Sequence, residues 1–426
     1  MTGSPRAGGG TRVGWLGLGA IGGLLLARAG RSRTGVESEP RGRTALAAGL
    51  VLAVVGLLLL ALGLLLDPRQ ALMSYLAAYA TGLSIVLGAL MLVMTCNITG
   101  ARWFAAFRRP AEAIAASTPI FAVLFLPLAL GLSRVYPWAP MAAGDRRVWL
   151  NAPFFLVRAA IYFAVWIAVG LLLRRWSPAR SARPADRADG RSRALSAGGL
   201  PAVAFAFSFA AFDWLMSLSP AWFSTIYGVY VFTGGFLGAL ALLAVVGPRA
   251  GRAAPTAAAA SADDSHKLGN LLLTFTVFWA YIAFSQFLII WIADVPQEVA
   301  WYVPRLGAGW RWLALVVLVG QFALPFLVLL LRSVKRSAGK LAKVGAWLLV
   351  MHYLDVYWLV LPQLHPGGIH PHWLDLAALC AVGGCAVAYV AWLLGRAALV
   401  PAGVSPGVSG GAGRELGASI PRAHRR

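Results

Sequence analysis

Charged residues are scarce in this 426-residue chain: Asp, Glu, Lys and Arg make up 12% of it, whereas 59% is hydrophobic. Soluble domains carry about 25% charged residues, so the composition excludes an ordinary soluble domain. The predicted fold class is an all-α membrane protein that crosses the bilayer many times. The 37 Lys and Arg outnumber the 15 Asp and Glu. Because these cations lie in loops and tails, they are interpreted as topology signals, and no nucleic-acid partner is predicted.

Ligands for redox metals are also few. Three cysteines cannot hold an iron–sulfur cluster, which needs about four cysteine ligands. Of six histidines, only His352 lies clearly inside an apolar run, so a haem held by two membrane histidines is excluded. We therefore expect this chain alone to bind no cofactor and no metal. A loop with His365, His370 and His372 leaves a metal site open as the less favoured alternative to ordinary interface histidines.

Ten apolar segments are each long enough to cross about 30 Å of hydrocarbon. They are predicted at 44–66, 72–96, 113–133, 150–173, 196–217, 222–246, 268–292, 310–331, 342–364 and 373–395. A Gly- and Arg-rich leader, 1–43, precedes them, and a tail, 396–426, follows. The connections on the N-terminal side hold most of the Lys and Arg, so the positive-inside rule predicts that both termini are cytoplasmic.

Ionisable residues interrupt some of these segments, which is costly in lipid and usually marks a proton or substrate path. Asp213 is predicted near the outer end of the fifth segment, and Arg158 in the outer half of the fourth. His352 and Asp355 share one face of the ninth segment at spacing i, i+3. We predict that Asp213, His352 and Asp355 transfer protons. A purely structural Arg158–Asp213 pair is the alternative.

The seventh segment adds polar groups to this set. Tyr281, Ser285 and Gln286 lie in its outer half or near it. Together with Arg158, they are predicted to bind a substrate or to tune the carboxylates.

Three stretches carry a resemblance to a known family. They are FDWLMSLSPAWFSTIYGVYVFTGGF (212–236), HKLGNLLLTFTVFWAYIAFSQFLIIW (266–291) and MHYLDVYWLVLPQL (351–364). The chain resembles the second large quinone-type membrane protein of bacterial alternative complex III, and it is similar to NrfD-type polysulphide-reductase membrane proteins. The resemblance covers about residues 44–395. It implies ten helices in the bacterial inner membrane, arranged as two four-helix bundles plus two peripheral helices.

The resemblance also implies an activity. The complex oxidises menaquinol or ubiquinol on the periplasmic side and passes electrons to a cytochrome c or to a terminal oxidase. The implied partners are membrane lipid, a sister NrfD-like subunit, an iron–sulfur subunit and multihaem cytochrome c subunits, which hold the haem and iron–sulfur groups. The family motifs match this chain at Asp213, Gln286, His352 and Asp355.

The favoured function is therefore a membrane subunit of a quinol oxidoreductase that bears no cofactor of its own. It would supply a quinol-associated site, a proton path, or both. Two other classes stay open. A structural anchor would tolerate neutral substitutions of the polar set, and a secondary transporter would show broken helices at matched positions of two repeats.

Overall fold

The computed structural model describes residues 39–140, 148–177, 185–250, 260–307 and 309–398. Within these ranges every regular element is a helix, and ten helices are long and apolar enough to span a membrane. They are α1 (Gly42–Leu66), α2 (Pro68–Thr99), α3 (Arg102–Leu130), α4 (Ala152–Arg175), α5 (Gly190–Leu218), α6 (Tyr227–Gly247), α7 (Ala262–Ala293), α8 (Trp310–Leu330), α9 (Ala338–Gln363) and α10 (Trp373–Gly395). The predicted class, an all-α polytopic membrane protein, is confirmed.

The ten helices form two four-helix bundles and a peripheral pair. Helices α2–α5 pack around one another, and helices α6–α9 do the same. The bundles meet where α6 contacts α2 and α5. Helix α1 packs mainly along α10, and α10 in turn contacts α2. The polar side chains of each bundle are therefore enclosed by its own four helices.

Small residues allow the peripheral pair to pack closely. A Cβ atom on Gly56 of α1 would lie 2.2 Å from the backbone nitrogen of Ala381 on α10. A Cβ atom on Gly384 of α10 would lie 2.3 Å from the backbone nitrogen of Ala53. Lipid tails are as apolar as leucine, so close van der Waals contact rather than the hydrophobic effect must hold such a pair together.

The two bundles approach each other through glycines of α2 and α6. A Cβ atom on Gly88 would lie 2.5 Å from the carbonyl oxygen of Gly235, and one on Gly235 would lie 2.5 Å from that of Ser84. In α2, 89% of the most apolar stretch is buried. Helix α2 is therefore the central element of the molecule and brings Ser84 to the boundary between the bundles.

Several predicted helix starts need correction. Helix α5 begins at Gly190 rather than 196, and α7 begins at Ala262 rather than 268. Helix α3 begins at Arg102 rather than 113, because a mostly buried helix, Ala105–Ala115, continues into the span. Helix α6 begins at Tyr227 rather than 222. The preceding connection is irregular, since it contains Pro220 and buries the ring of Trp222 instead of extending the helix.

The predicted leader and tail lie largely outside the described residues. Residues 1–38 and 399–426 are not described. The first described helix begins at Glu39, and the last one extends to Ala398. The predicted leader boundary at 43 and the predicted tail boundary at 396 are therefore each displaced by a few residues.

Several helix ends meet at one end of the molecule. The Nε2 atom of His365, just after α9, lies 2.6 Å from Oε1 of Gln70 at the start of α2. The side chain of Gln363, at the end of α9, donates to Ser219 just after α5. We call this the charge-poor end, because its connections hold few Lys and Arg.

Candidate functional site: two buried carboxylates

Arg158 of α4 and Asp213 of α5 form an ion pair inside the first bundle. The Nε atom of Arg158 donates to Oδ2 of Asp213, and Nη2 donates to Oδ1, each at 2.8 Å. Asp213 is completely buried, and Arg158 is 5% exposed. A planar guanidinium matches a carboxylate through two parallel hydrogen bonds of this kind. The structural pair that the sequence left open is therefore present.

Neutral side chains supply the remaining hydrogen bonds to Asp213. The indole of Trp149 donates to Oδ1 of Asp213 at 3.0 Å, and the hydroxyl of Tyr162 donates to Oδ2 at 2.8 Å. Arg158 also donates to the carbonyl of Trp149 at 2.9 Å and lies 4.2 Å from the centre of its ring. Each carboxylate oxygen thus accepts two hydrogen bonds. Protonating Asp213 would break the ion pair, so these contacts favour a structural role, and its proton transfer stays a prediction.

Asp355 of α9 has a different set of partners in the second bundle. It accepts hydrogen bonds from the hydroxyl of Tyr230, from the indole of Trp279 at 3.1 Å and from the amide of Gln321 at 3.4 Å. These neutral donors come from α6, α7 and α8. Asp355 is 2% exposed, and no Lys, Arg or His of the described residues forms an ion pair with it. Asp355 can therefore gain and lose a proton without breaking an ion pair.

A local change of helix type brings Gln321 to Asp355. Residues Leu318–Ala323 form a π-helix within α8, a feature that is frequent at functional sites. Pro325 lacks the N–H that would bond to the carbonyl of Gln321 in a regular α-helix, which favours this change. The Oε1 atom of Gln321 is buried without a hydrogen-bond partner in the described part of the chain. Sequence analysis missed Gln321, and Pro325 was the only local signal.

His352 lies one turn before Asp355 on α9. Its Nε2 atom is 2.9 Å from the hydroxyl of Ser84, which itself donates to the carbonyl of Thr81 at 2.9 Å. We therefore assign the ring proton to Nε2. The Nδ1 atom is buried without a partner in the described structure. Neither ring nitrogen bonds to Asp355, but both residues border Gly234, where a Cβ atom would lie 3.2 Å from Nδ1 and 3.6 Å from Oδ2 of Asp355.

The predicted residues of α7 occupy different surroundings. Gln286 is buried, with its Oε1 atom 3.4 Å from the hydroxyl of Ser224 and its Nε2 atom 3.4 Å from that of Tyr302. Ser285 is half-buried. Tyr281 is 63% exposed, so it lies outside the bundle interior that holds the carboxylates, and its role in substrate binding stays a prediction. Tyr281 is exposed because the opposite face of α7 packs into the bundle.

Sequence analysis also missed Arg305, which is 1% exposed in the short helix Tyr302–Leu306. It donates to the carbonyls of Trp301 at 2.8 Å and Leu359 at 2.7 Å, and it lies 3.7 Å from the centre of the Trp301 ring. Burial lowers the pKa of Arg305 to about 10, so it stays charged at neutral pH. Through its hydrogen bond to Leu359, Arg305 joins the connection between α7 and α8 to the end of α9.

A small cavity lies inside the first bundle, where α2, α4 and α5 face α6. Its volume is about 20 Å³, and its lining includes the Ser84 side chain and the aromatic rings of Tyr79, Trp166, Phe207 and Trp214. This volume holds about one water molecule and is too small for a quinone ring. Ser84 belongs to this lining and also lies 2.9 Å from Nε2 of His352, so the cavity lies near the contact between α2 and α9.

The two carboxylates occupy matched positions in the sequence. Asp213 precedes Pro220 by seven residues, and Asp355 precedes Pro362 by the same spacing. Each lies on the last helix of its bundle. A parallel repeat, in which two halves share one helix order, would place equivalent residues in this way. The shared spacing to a proline could have identified the two carboxylates as equivalent positions. Only their hydrogen-bond partners distinguish the roles they can have.

No family model matches this chain, and no curated protein matches it significantly in sequence. Among the described residues, no group of three or more His, Cys, Asp and Glu could hold a metal ion. The rings of His365 and His370 lie 5.0 Å apart at the charge-poor end. Function must therefore be inferred from the two carboxylate clusters.

Proposed function

We propose that this chain is a membrane subunit of a quinol oxidoreductase complex and that Asp355 exchanges protons in it, with His352 beside it. One observation carries the proposal. Two carboxylates stand at matched positions of two bundles, yet only Asp213 is neutralised by an arginine. Asp355 is held by Tyr230, Trp279 and Gln321, none of which carries a charge. A carboxylate without a counter-ion inside a membrane bundle usually serves a proton or substrate path.

The chemistry of quinol oxidation explains why such a residue would be useful. Oxidation releases protons together with electrons, and a positioned carboxylate or imidazole can accept them. The Nδ1 atom of His352, which has no partner among the described residues, and the carboxylate of Asp355 are two acceptors that border Gly234. Both acceptors are buried inside the second bundle, so we assign this chain a proton path.

The cellular setting belongs to the same proposal. The resemblance to alternative complex III supports a bacterial inner-membrane complex that oxidises menaquinol or ubiquinol. Partner subunits would hold haem and iron–sulfur groups and pass electrons to a cytochrome c or an oxidase. The excess of Lys and Arg in the connections on the N-terminal side supports cytoplasmic termini. In that orientation the charge-poor end faces the periplasm.

A structural anchor is the second candidate, and one observation favours it. The Arg158–Asp213 pair is fully satisfied and joins α4 to α5 without any free acceptor. Under this alternative, Asp355 would likewise serve only to join helices. Neutral substitution of Asp355 would then change stability but not turnover.

The test is quinol oxidation by the purified complex that contains Asp355→Asn. Asparagine keeps the size of the side chain but cannot exchange a proton, so we expect turnover to fall about 100-fold with assembly unchanged. Asp355→Glu should retain part of the activity. Asp375→Asn is the matched control, because Asp375 also accepts from neutral hydroxyls, of Ser74 and Tyr357, but lies outside the bundle. Full turnover of an assembled Asp355→Asn complex would reject the proposal.

A further inference from the structure

The outer face of α7 differs from those of the other helices. On the other nine described helices, every exposed polar side chain lies within five residues of a helix end, as Thr95 of α2 and Lys343 of α9 do. On α7, Asn270, Thr274 and Tyr281 are exposed within the span. The polar groups on this face are not explained by the carboxylate clusters, which lie inside the bundles.

These polar residues fall on one line along the helix. Exposed residues follow steps of four and three, and they are Asn270, Thr274, Val277, Tyr281 and Phe284. Such steps form a straight seam when one helix packs along another with a slight left-handed twist. We call these five residues the α7 seam.

Two side chains of the α7 seam lack hydrogen-bond partners within the described chain. The hydroxyl of Thr274 donates to the carbonyl of Asn270 at 3.0 Å, so Thr274 is satisfied locally. The amide of Asn270 and the hydroxyl of Tyr281 have no such bond among the described residues. Tyr281 lies twelve residues before the end of α7, about 18 Å along the helix axis, which is too far for its hydroxyl to reach water. Lipid offers no hydrogen bonds at that depth.

We propose that the α7 seam packs against a transmembrane helix of a partner subunit. That helix presents a polar side chain or a carbonyl to Tyr281, with small or apolar residues on either side of it. Polar side chains that bond across helices are a common feature of such interfaces. That this helix belongs to a different polypeptide rests on the proposed function, in which partner subunits hold the redox groups.

A photo-cross-linking residue placed at position 281 tests the α7 seam in native membranes. The matched control is position 327 on α8, because Leu327 is 62% exposed and Tyr281 is 63% exposed. After irradiation and purification of the complex through this chain, we expect an adduct at 281 with an apolar helix of a second polypeptide. Its yield should exceed that at 327 at least tenfold. Lipid adducts alone at 281, equal yields at both positions, or an adduct with a second copy of this chain would contradict the proposal.

Removal of one hydroxyl provides an independent measurement. Tyr281→Phe keeps the ring on an exposed surface, so the chain should fold normally. We expect the amount of the cross-linked polypeptide that co-purifies with this chain to fall severalfold, whereas Leu327→Phe should leave it unchanged. Equal recovery from both variants would contradict the assigned contact. Asp355→Asn should not change the cross-link at 281, so failure of the proton role and failure of the α7 seam can be told apart.

Discussion

At the scale of single residues, the partners of a buried carboxylate determine what it can do. Asp213 and Asp355 are both buried and lie on the last helices of their bundles. Arg158 neutralises the first, so a change of its protonation would leave a charged guanidinium without a partner. The second has neutral donors alone among the described residues, so its protonation can change at smaller cost. Similar positions thus support a structural role in one bundle and a chemical role in the other.

Substitution of Asp213 should affect stability more than chemistry. Asp213→Asn leaves Arg158 buried without a counter-ion, which typically costs about 3–5 kcal/mol. We expect a lower thermal-unfolding midpoint of the purified complex and poor assembly. The paired change Arg158→Met with Asp213→Leu removes both charges and should restore much of the stability, because buried ion pairs are often replaceable by apolar groups. A single variant that assembles with unchanged stability but loses turnover would instead support proton transfer by Asp213.

Residue types were easier to predict than their partners. The cost of charge in lipid identified Arg158, Asp213, His352 and Asp355 as candidates from the sequence alone. It could not show that Ser84 rather than Asp355 bonds to His352, because that contact depends on how closely α2 approaches α9. The exposure of Tyr281 could not be predicted for a similar reason: depth along a helix can be counted, whereas the face that packs inward depends on neighbouring helices.

At the scale of helices, the apolar runs predicted all ten spans, because length and hydropathy are local properties of the sequence. The start of α6 at Tyr227 and the π-helix Leu318–Ala323 were not predicted. Both are departures from regular helix that tertiary packing stabilises. They matter for the site, since the π-helix brings Gln321 to Asp355.

The peripheral pair offers a test of close helix packing with two adjacent glycines. A Cβ atom on Gly384 would lie 2.3 Å from the backbone of Ala53, whereas one on Gly383 would meet no atom within 4 Å. We expect Gly384→Ala to push α10 away from α1 and to cost about 1–3 kcal/mol, as overpacking typically does. Gly383→Ala should change stability little. Thermal unfolding of the two variants in the same detergent measures the difference, and equal midpoints would show that α1 and α10 do not pack in this way.

At the scale of the whole molecule, the proposed orientation follows from the distribution of Lys and Arg and can be tested with two exposed glycines. Gly367 lies in the connection at the charge-poor end, and Gly339 lies in the first turn of α9 at the opposite end. An added side chain would meet no atom within 4 Å at either position. A membrane-impermeant maleimide should label Gly367→Cys in intact spheroplasts, and Gly339→Cys only after permeabilisation. The reverse pattern would place both termini outside the cytoplasm.

The overall arrangement was predictable in part. Composition established a membrane protein, and the resemblance predicted two four-helix bundles with a peripheral pair, which the structure shows. The asymmetry between the bundles could not be predicted, because it depends on which side chains of α4 and α8 face α5 and α9. That asymmetry is the basis of the proposed function.

The most direct test of the account is infrared difference spectroscopy of the assembled complex before and after addition of quinol. If Asp355 exchanges a proton during turnover, the spectrum will contain a change in the band of a protonated carboxyl group. We expect Asp355→Asn to abolish this change and Asp375→Asn to retain it. A carboxyl signal that persists unchanged in an assembled Asp355→Asn complex would contradict the assignment of proton exchange to Asp355.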